Sequence, residues 1–279
     1  MSIPARIRRI CIASVIICLS VAAFTCSNAL ATDAKRILIL HSFSPDAKPW
    51  SEYAKAIRSE LYRQSPWPLN LYEFSLVAAR TADESSEAPF TEYLDALFAK
   101  EPPNIIVSIG APAARFVQKQ RKKLFPDAPM LLTVVDQRRV QYSSLTENDV
   151  VVAVSIDYLA ALQNILRVLP DTKQVAVVVG NSPIEKYWKE EIGIAAKPLT
   201  DRVRFKWYDG LSFEDILKDA AALPPASAIF WELMIVDASG AVHEEGTALS
   251  RLYAVANAPI FSYTDAFFGQ EIVGGPHVP

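Results

Sequence analysis

Two stretches decide the reading of this chain: "SPDAKPWSE" at residues 44–52 and "SPIEKYWKE" at residues 182–190. Both read Ser-Pro-x-x-Lys-x-Trp-x-Glu. Each begins three residues after a branched apolar run, "ILILH" (37–41) or "VAVVV" (175–179). Runs so short, so apolar and so rich in branched residues read as buried strands rather than helices. A strand-to-helix connection that recurs after 138 residues marks a doubled supersecondary unit.

The rest of the chain alternates in the same way. Strands are expected at 36–41, 69–74, 104–109 and 129–135, and helices at 50–64, 89–100 and 111–123, the last ending in a basic cluster that suits the negative end of its dipole. After a polar bridge at 136–149 the alternation restarts. Strands are expected at 150–156, 174–179, 202–207, 227–231 and 259–263, helices at 157–169, 183–196, 212–223 and 244–256, and a short last run at 271–275. Two more echoes keep the same order. A Pro-Pro pair leads into a strand at 102–103 and at 224–225, and an Ala-Pro turn does so at 128–129 and 258–259. Strands apolar throughout, alternating with helices, mean parallel sheets covered on both faces. A single open sheet would need about ten strands, near the upper limit, so two sheets are expected. The fold class is therefore α/β, with two similar Rossmann-like lobes joined by a hinge. Lobe 1 is expected at 32–135, a hinge or crossover at 136–156, lobe 2 at 157–264 and a second crossover at 265–279.

Residues 1–31 stand apart. Arg6, Arg8 and Arg9 precede an apolar stretch at 10–24, and Ala29-Leu30-Ala31 offers the small residues of a cleavage site, which is the pattern of a secretory signal. An uncleaved anchor is the alternative, because no charge interrupts residues 10–31. The expected location is periplasmic, anchored to the membrane if the leader stays. Cys11, Cys18 and Cys26 all lie in this leader, so the exported remainder holds no disulfide, cysteine zinc site or thiol nucleophile. The chain has 28 basic and 31 acidic residues, and losing the leader arginines makes it more acidic still. An acidic chain is a poor partner for nucleic acid or an anionic membrane.

Enzyme motifs are not evident. His41, His243 and His277 are scattered, and "HEEG" (243–246) lacks the second histidine of a zinc-protease helix. There is no Gly-x-Ser-x-Gly elbow and no phosphate-binding glycine loop. No cofactor, metal or catalysis is expected. Two α/β lobes instead place their strand ends, where ligands bind, across a cleft. Ser42, Phe43, Gly110, Ala111, Asp136, Arg138, Asn181, Ser182, Trp231, Glu232 and Asp265 all follow or end strands there. Ser42, Asn181 and Ser182 suit hydrogen bonds to a ligand, although Ser182 before Pro183 equally suits a helix cap. Amides at Gly110 and Ala111 suit an anion or simply a tight turn. Arg138 beside Asp136 suits a ligand carboxylate or a solvated hinge. Phe43 and Trp231 suit stacking or packing. Trp50 and Trp188 read as anchors a turn inside their helices, holding each helix to its sheet. An amino acid, an aromatic compound and a carboxylate all suit such a cleft.

The strand ends read "LILHSF", "VSIGAPAA", "VVVGNSP" and "VGGP". With them the chain resembles the periplasmic substrate-binding proteins of ABC transporters. It is similar more closely to the extracytoplasmic sensor domains of bacterial hybrid histidine kinases, through "HSFSPDAKPW", "LYEFSLVAAR", "VVDQRRVQ" and "AVANAPIF". The resemblance covers the chain after the leader. It implies a module that closes two lobes on a small solute as the input of a histidine-kinase-type system, with a membrane sensor kinase as partner. Delivery of solute to a permease is the alternative, and a ligand-free protein-interaction domain is the third reading. Relatives continue past the Gly-Gly-Pro turn into a helix returning to lobe 1, whereas this sequence stops at Pro279, so truncation is expected.

Overall fold

Branched residues on both sides of a strand need a covering layer on each face of its sheet. The structure, a computed structural model, describes residues 33–76, 84–269 and 272–274. Those residues meet the need with two all-parallel sheets and seven α-helices. The expected leader, with Cys11, Cys18 and Cys26, lies outside the described residues.

The first sheet holds β1 (Lys35–His41), β2 (Leu69–Ser75), β3 (Ile105–Ile109), β4 (Met130–Asp136) and β5 (Val150–Val154), in the order β2-β1-β3-β4-β5. The second holds β6 (Gln174–Val179), β7 (Arg204–Trp207), β8 (Ser227–Leu233) and β9 (Ile260–Ser262), in the order β7-β6-β8-β9. Four strands of each sheet thus share one order, second-first-third-fourth. The repetition at Ser44 and Ser182 is a repetition of topology. The Ala-Pro echo is repeated down to its hydrogen bond: Ile106 N–H donates to the Pro129 carbonyl (3.0 Å) and Ile229 N–H to the Pro259 carbonyl (2.9 Å). The segment expected as a hinge, 136–156, makes two short 3-10 turns and then β5, which extends the first sheet.

The helices are α1 (Trp50–Gln64), α2 (Glu87–Phe98), α3 (Ala111–Leu124), α4 (Tyr158–Val168), α5 (Pro183–Ala196), α6 (Phe213–Ala221) and α7 (Glu245–Val255). Side chains cap several of their starts, among them Asp157, which accepts from Ala160 N–H (2.9 Å), and Ser212, which accepts from Asp215 N–H (3.2 Å). In the first sheet, α2 meets β2 through Tyr72–Phe98 and Phe74–Phe90 ring contacts, and α3 lays Phe116 and Leu124 beside Leu40, Ile106 and Met130. The opposite face carries α1, with Ile57 and Leu61 beside Ile37 and Ile105. In the second sheet, α4 and α5 pack with Val175, Val177, Phe230 and Phe261, while α6 and α7 pack with Ala176, Val178, Ile229 and Trp231. The cluster under α4 and α5 is continuous with the core of the first sheet.

Candidate functional site

The C-terminal strand ends and the turns after them are built from side chains that mostly serve the fold. Ser42 follows β1 and is buried. Its Oγ donates to the Ile109 carbonyl (2.7 Å) and accepts from Ala113 N–H (3.0 Å), tying β1 to the start of α3. Gly110 precedes α3 at φ 89°, and a Cβ there would stand 2.6 Å from Ser42 Oγ, so the turn requires glycine. Its N–H donates to the Thr133 carbonyl (2.9 Å), and Ala111 is buried as the first residue of α3. His41 faces Glu73, which Arg58 also holds. Phe43 packs on Trp50 with ring centroids 4.6 Å apart.

The turn after β6 is built differently. Gly180 N–H donates to the Leu233 carbonyl (2.9 Å), as Ser42 N–H does to Ile109 (3.0 Å). Asn181 N–H donates to the Val236 carbonyl (2.6 Å), and Ser182, the cap of α5, donates its N–H to Glu185 Oε2 (2.9 Å). The buried Glu185 carboxyl also accepts from Ile235 N–H (2.6 Å). Burial pushes that carboxyl up, against the pull of its hydrogen bonds.

At the end of β4, Val134 holds φ 53°, a strained value for a β-branched residue, where the β4–β5 register shifts between Thr133 and Val135. Its side chain lines the space between the lobes. Asp136 is buried and accepts from the N–H and Nε of Arg138, both at 2.8 Å, and from Nη2 at 2.6 Å. Arg138 Nη1 reaches across to Glu191 on α5, and the Arg139 guanidinium lies 4.5 Å over the Tyr187 ring. The hydrogen bonds to Asp136 drive the Arg138 guanidinium above its ordinary value. Arg138 is therefore engaged by protein carboxylates, and it clasps the β4 turn to α5.

On β8, Trp231 is fully buried under α6 and α7 and does not line the inter-lobe space. Glu232 is the extra residue where β8 slips against β6, between Trp231 and Leu233. Its Oε1 accepts from Tyr158 OH (2.6 Å), and its Oε2 has no hydrogen-bond partner among the described residues. Burial pushes Glu232 up to about 8, against the pull of the Tyr158 hydrogen bond, with the Glu185 charge adding to the rise. Burial likewise pushes Glu245 up, while Met234 N–H donates to it (2.6 Å). Asp265 opens a 3-10 turn, Asp265–Phe267, and its side chain lies outside the described residues.

A cavity between the lobes is walled by described residues of both. It has a volume of about 50 Å³. Lobe 1 contributes Pro49, Trp50 and Tyr53; the ends of β4 and β5 contribute Val134, Val154 and Ile156; the second sheet contributes Trp188, Tyr263 and Thr264. The two repeated tryptophans thus wall the same space, which corrects their reading as anchors of helix to sheet alone. Their positions differ too. Trp50 is the first residue of α1, because the loop at 45–49 delays that helix, whereas Trp188 is the sixth residue of α5, which starts at Pro183. Of the ligand-facing residues named from sequence, none with a described side chain is on its wall. Trp50 and Tyr53 share a helix face at i, i+3, which was the available signal for Tyr53. Val134 carried none, since its direction depends on the bulge.

No group of three or more histidine, cysteine or acidic residues among the described residues could hold a metal ion, and no helix among them is long and apolar enough to cross a membrane. No family model matches the chain, and no curated protein matches it. Solved structures do. The chain is similar to the ABC domain in complex with L-Trp from Streptococcus pneumonia, with TM-score 0.56, 14% identity, and coverage of 86% of this chain and 76% of that one. A periplasmic sugar-binding protein from Legionella pneumophila gives TM-score 0.54 and 14% identity over 88% of this chain and 89% of that one. This is the fold of periplasmic binding proteins. The XylFII–LytSN complex shares this binding-protein fold at TM-score 0.51 and 13% identity, over 83% of this chain and 80% of that one.

Proposed function

We propose that the chain is an extracytoplasmic solute-binding module that closes two lobes on a small molecule and serves as the input of a histidine-kinase-type sensor. The observation that carries the binding reading is the cavity walled from both lobes and from the β4 and β5 ends, with a strained Val134 turned into it. The Arg138–Glu191 and Arg139–Tyr187 contacts hold the lobes together across this space. At about 50 Å³ the cavity is far below the roughly 300–1,000 Å³ of ligand pockets, so entry requires the lobes to part by a hinge motion. The ligand-facing set is Trp50, Tyr53, Trp188 and Tyr263, with Ser42, Gly110, Asn181 and Ser182 shaping the turns behind it.

The sensor role rests on the resemblance of the leader-free chain and on the binding-protein fold of the XylFII–LytSN complex. The periplasmic sugar-binding relative in fold favours delivery to a permease. Genes beside this one separate the two: kinase-coding sequence supports the sensor, a permease and ATPase support transport. The small cavity favours a third reading, an interaction domain without a ligand. A thermal-shift screen of a solute library tests binding itself, because a ligand bound only by the folded state raises Tm. A well-folded protein whose melt no solute moves contradicts the binding reading.

A further inference from the structure

The cavity wall carries no formal charge at neutral pH. Four of its side chains are aromatic rings, Trp50, Tyr53, Trp188 and Tyr263, and the branched residues at the ends of β4 and β5 complete it. Among the described residues, several charges near the strand ends already face protein partners. Asp136 is held by Arg138, Arg138 by Glu191 as well, His41 faces Glu73, and Glu232 accepts from Tyr158. A carboxylate, phosphate or ammonium entering this space loses its hydration and meets no charged side chain among the described residues of the wall. An amino acid brings both charges and is disfavoured twice. A sugar brings a ring of hydroxyls, each needing a partner, while the side chains of this wall offer two indole N–H groups, which only donate, and the hydroxyls of Tyr53, Tyr263 and Thr264.

Resting on the binding reading above, we propose that the cavity takes a small, uncharged aromatic ring held against the Trp50 and Trp188 indoles. Ring-on-ring contact in offset or edge geometry gives such a ligand its affinity. The Arg138–Asp136 pair then works as a closing clasp and not as a carboxylate receptor.

The test is isothermal titration of the full chain at pH 7 with four probes: indole, indole-3-acetate, L-tryptophan and D-glucose. The first three share one ring and differ in charge, and the fourth is uncharged but not aromatic. Indole is expected to bind about tenfold or more tighter than each of the others. Trp188→Ala is expected to weaken indole by about tenfold, and Trp188→Phe, which keeps a ring, by only a few-fold. The Phe variant keeps the test valid if the Ala variant does not fold. Indole-3-acetate, L-tryptophan or D-glucose binding as tightly as indole overturns the neutral-ring class and leaves solute binding standing. Indole binding equally to wild type, folded Trp188→Ala and folded Trp50→Ala overturns the site. Failure of all four probes overturns the ring class; the solute screen described above then decides whether the binding reading falls with it.

Discussion

The two sheets share a strand order but not a degree of closure. Phe261 on β9 and Leu131 on β4 occupy equivalent positions, one residue beyond the equivalent pairs Ile229–Ile260 and Ile106–Met130. Phe261 is buried under the α4–α5 layer, with 4% exposure. Leu131 instead lines an open groove of about 550 Å³ beside α1. Next to it β5 exposes Val150 (55%) and Val152 (57%) on the same face. The difference comes from the crossover. The chain leaving the first sheet brings α4 down onto the second, whereas among the described residues α1 alone covers the corresponding face of the first. A repeated topology therefore does not by itself seal a lobe; the helix delivered by the neighbouring crossover does.

Substitutions at matched positions can break this comparison. Phe261→Ala is expected to cost about 3–5 kcal/mol, as for buried aromatic truncations, and Leu131→Ala only about 1 kcal/mol because its site is already open. Urea denaturation of both measures the gap, and equal losses would mean the first sheet is as closed as the second. The next effect lies in the turns. Gly180 stands where lobe 1 has Ser42, yet a Cβ at Gly180 would meet Glu185 Oε1 at 2.2 Å and the Val236 carbonyl at 2.5 Å. Gly180→Ser, which copies lobe 1, is expected to lower stability by about 1–3 kcal/mol through overpacking. Unchanged melting would show that Glu185 moves aside freely.

Glu232 is an inserted residue of β8 that β3 lacks, and it makes lobe 2 sensitive to pH. Its folded value of about 8 lies above its ordinary 4.5. A raised carboxyl favours the folded state fully below about pH 4.5, and that contribution is lost as pH rises towards 8. The slope is about 1.4 kcal/mol per pH unit for one group. Glu185 and Glu245 are pushed the same way. Melting temperature should therefore fall between pH 6 and pH 8, and Glu232→Gln should flatten the fall; a wild-type curve rising over that range would contradict it. The smallest effect concerns the open face. Val150→Lys with Val152→Lys should change stability by no more than about 0.5 kcal/mol. It should nonetheless lower binding of a hydrophobic dye, since a contiguous apolar surface is removed. Undiminished dye fluorescence would place the exposed apolar surface elsewhere.

The α/β architecture was legible because its punctuation is strong. The helices 50–64 and 183–196 begin and end as read from proline and apolar spacing, and the Pro-Pro and Ala-Pro echoes fall before topologically equivalent strands. The site was less legible. Asp136 and Arg138 are visible as charges two residues apart, but spacing does not say that they hold each other. Trp231 ends a strand, but the face it takes follows from sheet packing. The repeat pairs Trp50 with Trp188 without revealing that both wall one cavity, because the loop at 45–49 places them at different depths in their helices.

Hydrogen–deuterium exchange with and without the solute that most raises Tm tests the two-lobed site most directly. Binding between the lobes predicts protection of both tryptophan-bearing segments at once, residues 49–56 and 184–191, with the groove at 61–69 unchanged. Protection confined to one lobe, or appearing at 61–69 instead, would contradict it.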